Sequence, residues 1–82
     1  DSSPLQTLDQ LTEGEISRIR KVKEETELLD YLQGLGIEIG KTVTVVSVGA
    51  YEGPLTLDLN GKQIQISYKA ARQIYVDPAP QS

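Results

Sequence analysis

The residues with the clearest potential for chemistry are the carboxylates Glu24, Glu25 and Glu27, which precede a leucine-rich segment. If that segment is a helix, carboxylates three residues apart share one of its faces and could bind a metal ion. The same side chains also lie where a helix begins, and the helix dipole favours negative charge there without any ligand. We favour the dipole interpretation and keep metal binding as the alternative.

A run of basic residues, Arg18, Arg20, Lys21 and Lys23, lies just upstream of these carboxylates. It could contact nucleic acid, or it could be the solvated face of a strand. The chain carries 8 lysines and arginines against 12 acidic residues, for a net charge of −4. Free-standing nucleic-acid binders usually show a basic face, so we favour the solvated strand and predict no direct nucleic-acid contact.

Several residue types that support catalysis are absent from the sequence. It contains no histidine and no cysteine, so neither is available as a base or nucleophile at neutral pH. Gly34-Leu35-Gly36 follows the leucine-rich segment rather than preceding a helix, where a phosphate-binding loop would lie. We therefore predict that the chain is not an enzyme. No apolar run approaches the roughly 20 residues of a membrane helix, so no membrane insertion is predicted.

The length of 82 residues predicts one small domain. Because the sequence lacks methionine, we expect it to be a piece of a longer protein. Both ends are polar and contain proline, which is typical of mobile segments. We therefore predict a flexible leader over residues 1–7, a folded unit over 8–76 and a flexible tail over 77–82.

The first apolar segment has two interpretations. Ile16, Ile19 and Val22 recur every three residues, which fits one face of a helix or a strand with a bulge. The β-branched side chains, and Gly14 ahead of them, favour a strand.

The leucine-rich segment predicts a short helix. Leu28, Leu32 and Leu35 have helical spacing. Thr26 is a suitable N-cap, and Gly36 can adopt the left-handed conformation that ends a helix.

The remainder of the chain has β patterns. Val43 and Val45 alternate in one phase and Val46 and Val48 in the other, which predicts a bulge near the switch. A glycine-rich loop over residues 49–54 follows, with Tyr51 at its tip. Tyr51 could contact a partner, although a single exposed aromatic residue usually has no function.

Asn60-Gly61 between alternating apolar runs predicts a β-hairpin and its register. The expected cross-strand pairs are Leu59–Lys62, Leu57–Ile64 and Leu55–Ile66. Residues 67–73 could form one helical turn, and Ile74 and Val76 a last short strand. These elements predict a mainly β fold, a small SH3-like five-stranded antiparallel barrel with one short helix between the first two strands.

The order and spacing of a set of apolar, glycine and turn residues match a known pattern. These residues are Leu8, Leu11, Gly14, Ile19, Leu32, Leu35-Gly36-Ile37, Gly40, Val43, Val45, Gly53-Pro54-Leu55, Ile66, Ser67, Ala71 and Ile74 to Val76. In these positions the sequence resembles the FeoA-like, SH3-like barrel domain, over nearly all of residues 8–76. The resemblance implies one of two settings. One is the C-terminal domain of metal-dependent repressors similar to the diphtheria toxin repressor, and the other is the FeoA protein that assists the ferrous-iron transporter FeoB.

The sequence of the predicted helix and of the corner after it favours the repressor setting. FeoA proteins more often carry a basic residue at the position of Tyr31 and a proline at that of Ile39. The resemblance then implies a cytoplasmic regulatory domain that contacts other domains or a linker of its own chain, and the homodimer partner. Fe²⁺ or Mn²⁺ would bind the full-length protein rather than this domain tightly. In some such repressors the domain donates a glutamate and, three residues on, a glutamine to an ancillary metal site. These positions correspond to Glu25 and to Leu28, which cannot ligate.

Overall fold

The computed structural model describes residues 5–77. Six strands and two α-helices follow one another within this range, with a 3₁₀ turn at Leu8–Gln10 after the first strand. The elements are β1 (Gln6–Thr7), β2 (Ile16–Val22), α1 (Thr26–Leu35), β3 (Thr42–Val48), β4 (Leu55–Leu59), β5 (Lys62–Ile66), α2 (Tyr68–Ala71) and β6 (Ile74–Val76).

The strands form one antiparallel sheet in the order β1-β6-β2-β3-β4-β5. The mainly β, SH3-like prediction is confirmed, but the described residues contain six strands rather than five. The additional strand is β1, so the predicted helix lies between β2 and β3. Gln6 pairs with Val76 and Thr7 with Tyr75, because the chain start extends the sheet beyond β6.

This pairing corrects one predicted boundary, since Gln6 and Thr7 were expected in the leader. Asp77 was likewise expected in the tail, yet its backbone forms two hydrogen bonds with β2. Its N–H donates to the carbonyl oxygen of Arg18 at 3.1 Å, and its own carbonyl accepts from the Ser17 hydroxyl at 2.9 Å. The other residues of the predicted leader and tail, apart from Leu5, lie outside the described residues.

The strand interpretation of the first apolar segment is confirmed, and so is its bulge. The pairing of β2 with β6 shifts between Ile19 and Lys21. Ile19 and Val22 are therefore both buried although they are three residues apart, while Arg20 and Lys21 both face solvent. A second shift, between Val45 and Ser47, confirms the bulge predicted from the change of phase in β3.

Helix α1 begins at Thr26, the residue predicted as its N-cap, and the cap itself lies one residue earlier. Glu25 has an extended backbone, and its carbonyl accepts the N–H of Leu29 at 2.9 Å, so Glu25 rather than Thr26 is the N-cap. At the other end Gly36 has φ +84° and ends the helix in the left-handed conformation, as predicted. Leu28 and Leu32 are buried under the sheet.

The β4–β5 hairpin has the predicted register throughout. Asn60 and Gly61 have φ of +55° and +85°, the conformation of a type I′ turn. The hairpin contributes a large part of a single apolar core that also receives α1 and the other long strands. The core residues are Leu8, Leu11, Ile19, Val22, Leu28, Leu32, Ile37, Val43, Val45, Leu55, Leu57, Leu59, Ile64, Ile66, Ala70, Ala71, Ile74 and Val76.

The predicted helical turn after the hairpin is α2. Ser67 is its N-cap, because the Ser67 hydroxyl accepts the N–H of Ala70 at 3.1 Å. Across residues 5–77, neither helix is long and apolar enough to cross a membrane.

Candidate functional site

A groove of about 510 Å³ lies between the start of α1 and α2. We call it the α1–α2 groove. Its floor is apolar and its walls carry both charges, because the acidic start of α1 faces a lysine on α2. The lining residues are Lys23, Glu25, Glu27, Leu28, Tyr31, Ser67, Lys69, Ala70 and Gln73.

The two walls of the groove are joined by a hydrogen bond between residues that are 36 positions apart. The hydroxyl of Tyr31, on the exposed side of α1, accepts the N–H of Ser67 at 3.3 Å. Ser67 in turn caps α2. This contact therefore links α1 to the N-cap of α2.

The structure places Glu25, the predicted metal ligand, at the edge of this groove. Its side chain is exposed and makes no capping hydrogen bond, so the carboxylate is available to a cation. Glu27 lines the groove as well, whereas Leu28 is buried at 8% exposure and offers no donor atom. Within residues 5–77 no three acidic side chains are grouped as metal ligands, and ligation by Glu25 stays a prediction.

Tyr51, the predicted partner contact, is fully exposed at the tip of its loop. Tyr51 and Glu52 both have positive φ, of +54° and +59°. The loop is closed by a hydrogen bond of 2.9 Å from the N–H of Gly49 to the carbonyl of Pro54. A Cβ on Gly49 would lie 2.9 Å from the backbone of Gly53, so this tight loop needs a glycine there. Tyr51 does not line the α1–α2 groove, and its role stays a prediction.

The basic run of β2 forms a second, smaller depression of about 400 Å³ with Tyr75 and Ile39. Lys21 Nζ lies 5.8 Å from the centre of the Tyr75 ring, and Arg20 lies 3.5 Å from the Asp77 carboxylate. Exposed ion pairs of this kind contribute little to stability. The sequence predicted a solvated strand face. It did not predict that the bulge in β2 turns Arg20 and Lys21 both outward, next to Tyr75.

Asp9 and Tyr68 form a contact for which the sequence contains no recognisable signal. Asp9 Oδ1 is buried and has no hydrogen-bond partner among the described residues. Partial burial raises the pKa of Tyr68 above its ordinary 10.0, and the negative charges of Asp9 and Glu52 raise it further. The contact links the 3₁₀ turn to α2.

The sheet order, the two short helices and the mixed-charge groove between them define a small SH3-like β domain with a surface for contacts. Comparison with known families identifies the family of this domain. The FeoA domain family matches residues 6–78, and the chain belongs to this family.

The similar solved structures include both longer regulators and FeoA proteins of about the same length as this chain. ScaR with bound Zn²⁺ is 28% identical, with a TM-score of 0.82 over 92% of this chain and 37% of that chain. The manganese regulator SloR is also 28% identical, with a TM-score of 0.79 over 88% of this chain and 34% of that chain. This chain therefore spans about a third of these regulators.

A FeoA-like protein from Clostridium acetobutylicum has a TM-score of 0.86 over 98% of this chain and 93% of its own. At 15% identity, this likeness shows the fold alone. No curated protein matches the sequence.

Proposed function

We propose that this chain is a non-enzymatic regulatory domain of a cytoplasmic, iron- or manganese-dependent transcriptional repressor. The observation that supports it most directly is the likeness to ScaR, at 28% identity over 92% of this chain but only 37% of ScaR. A domain that matches a third of a longer regulator is suited to act on the rest of that regulator. The contacts would be with neighbouring domains or the linker of the same chain, and with the homodimer partner.

The α1–α2 groove is the surface that we assign to these contacts. Its apolar floor, formed by Leu28 and Ala70, can take an apolar side chain of a neighbouring segment, and its charged rim can orient that segment. Tyr51 supplies a second, fully exposed contact. The domain does not touch DNA, in keeping with its net charge of −4.

Glu25 would supply one carboxylate oxygen to an ancillary metal site completed by another domain. One or two carboxylates bind transition metals weakly, because the imidazole and thiolate ligands that usually hold these metals are absent here. Fe²⁺ or Mn²⁺ would thus be held in the full-length protein, and Glu25 would couple this domain to the metal-bound state. The buried Leu28 leaves the domain without a second ligand at that position.

The test uses the full-length protein that contains this chain and measures operator binding against Mn²⁺ concentration. Deletion of residues 6–77 should change the Mn²⁺ dependence of operator binding. Glu25→Gln should raise the Mn²⁺ concentration needed for half-maximal operator binding by about tenfold. Glu13→Gln is the matched control, since Glu13 is an exposed glutamate outside the groove. Unchanged Mn²⁺ dependence after the deletion would contradict the regulatory role. If the deletion has an effect and Glu25→Gln has none, only the proposed metal ligation by Glu25 is contradicted.

The second candidate function is that of a FeoA-type accessory protein that acts on FeoB in ferrous-iron uptake. The crystal structure of an iron uptake regulatory protein (FeoA) favours it, because 88% of this chain covers 93% of that chain. The gene sequence before Asp1 distinguishes the two candidates. A winged-helix pattern followed by a histidine-rich metal domain would establish the repressor, and a start methionine within a few residues would establish the FeoA type.

A further inference from the structure

Strand β5 lies at one end of the sheet and pairs only with β4 among the described residues. The type I′ turn at Asn60-Gly61 makes Leu59–Lys62 a hydrogen-bonded pair, and this pattern alternates along the ladder. Lys62, Ile64 and Ile66 therefore direct their N–H and C=O groups towards β4. Gln63 and Gln65 direct theirs away from the sheet, at its open edge.

The structure closes this edge at one end and leaves the middle open. The next outward N–H, that of Ser67, is taken by the Tyr31 hydroxyl at 3.3 Å. No hydrogen bond joins the N–H or C=O of Gln63 or Gln65 to any other group in residues 5–77 outside the β4 ladder. The side chains of both glutamines are exposed.

The usual protections of an edge strand are few in β5. Edge strands are commonly blunted by proline, by bulges or by several charges. The sequence of β5 is KQIQI, with no proline and one charge at its first residue, and its register with β4 is unbroken. The open edge is thus a regular strand that can accept another strand.

We propose that β5 pairs antiparallel with β5 of a second copy of this chain, about a two-fold axis at Ile64. In this register Gln63 of each copy lies opposite Gln65 of the other, so that all the outward N–H and C=O groups of these residues are satisfied by each other. Lys62 lies opposite Ile66 of the other copy, so no like charges meet. The interface is isologous and closes as a dimer. This inference does not depend on the proposed function.

The dimer should be weak in the isolated chain, because a single strand pair buries far less than the roughly 1,200 Å² of a standard stable interface. Its hydrogen bonds should therefore form and disappear with protein concentration. Amide exchange measured by NMR on the 82-residue chain reports each backbone group separately. As the protein concentration is raised, the exchange rate of the Gln63 and Gln65 amides should fall by about fivefold or more. The weight-average molar mass measured by sedimentation should rise over the same range.

Substitutions at the edge test both the contact and its register. Gln65→Pro removes an outward N–H together with the amide side chain and should abolish the concentration dependence, since proline is tolerated on an edge strand at such a position. Gln65→Thr is the matched control: it loses the same amide side chain but keeps the N–H, and should still dimerise. Far-ultraviolet circular dichroism checks that both variants fold.

A charge pair provides a test that needs no proline. The double change Gln63→Lys with Gln65→Glu places opposite charges across the two-fold axis and should strengthen dimerisation at low salt. Gln63→Glu with Gln65→Glu places like charges there and should weaken it.

Three outcomes would overturn the proposal. The Gln63 and Gln65 amides could exchange equally fast at every concentration, or be protected even in dilute protein, which would indicate an occupant from the same chain. Alternatively, a dimer could form while protection appears on another strand.

Discussion

The β4–β5 hairpin and the α1–α2 groove are assembled in different ways. In the hairpin, partners close in sequence bury Leu55, Leu57 and Ile66 to 1% exposure or less. In the groove, segments 36 residues apart are joined by one exposed hydrogen bond between Tyr31 and Ser67. The hairpin holds much of the apolar core, whereas the groove exposes an apolar floor between charged walls at the surface. Changes in the hairpin should therefore affect folding, and changes in the groove should mainly affect binding.

The largest expected effect is that of Leu57→Ala. Leu57 has no exposed surface and lies in the middle of the hairpin, so the truncation leaves a cavity and should cost about 2–5 kcal/mol of unfolding free energy. Small domains have only about 5–15 kcal/mol in total, so the variant should be close to unfolding. Urea denaturation followed by circular dichroism measures the change.

The groove supplies the control for this prediction. Lys69→Ala changes an exposed residue of its wall and should alter stability by no more than about 0.5 kcal/mol. Equal losses in the two variants would show that the groove is as important to the fold as the hairpin, and would invalidate the contrast.

Two glycines sharpen the comparison by isolating backbone conformation. A Cβ added to Gly61 in the hairpin or to Gly34 in α1 meets no atom within 4 Å. Gly61 has φ +85°, so Gly61→Ala should destabilise the protein by about 1–2 kcal/mol. Gly34 lies within a regular helix, so Gly34→Ala should stabilise it by about 0.5–1 kcal/mol.

Opposite signs in thermal denaturation would confirm that the turn conformation, rather than contacts of the glycines, specifies the hairpin. A Gly61→Ala protein as stable as the native one would show that the turn can change its type without cost to the register.

The hairpin could be predicted residue by residue because its signals are local. Asn60-Gly61 supplies two positive φ angles, and alternation on either side then allows only one register that buries the leucines and isoleucines. The bulges of β2 and β3 also left local signals, in the three-residue spacing of Ile19 and Val22 and in the change of phase after Val45, whereas Ile16 of the same pattern is exposed. Gly36 is also a local signal, because a glycine that can adopt a positive φ marks the end of a helix.

Features that depend on distant partners had no such signal. Gln6 and Thr7 have no strand pattern of their own, and their pairing with β6 follows only once the sheet is assembled. The cap of α1 lies at Glu25 rather than Thr26, because the chain leaves β2 in an extended conformation. The contact of Tyr31 with Ser67 could not be predicted, since an exposed tyrosine on a helix does not indicate which segment it meets. The groove follows from these long-range contacts.

The smallest expected effect concerns α2, one wall of the groove, and appears only at alkaline pH. Burial, followed by the charges of Asp9 and Glu52, raises the pKa of Tyr68 in the folded protein above its ordinary 10.0. The unfolded chain thus loses this proton first as pH rises, so the contribution is complete below pH 10.0 and is lost as pH rises through the folded pKa. Native protein should therefore lose stability over this range more steeply than Tyr68→Phe, in which the other groups still titrate. Urea denaturation of both proteins across a pH series measures the difference, and parallel curves would show that Tyr68 is not held in this environment in solution.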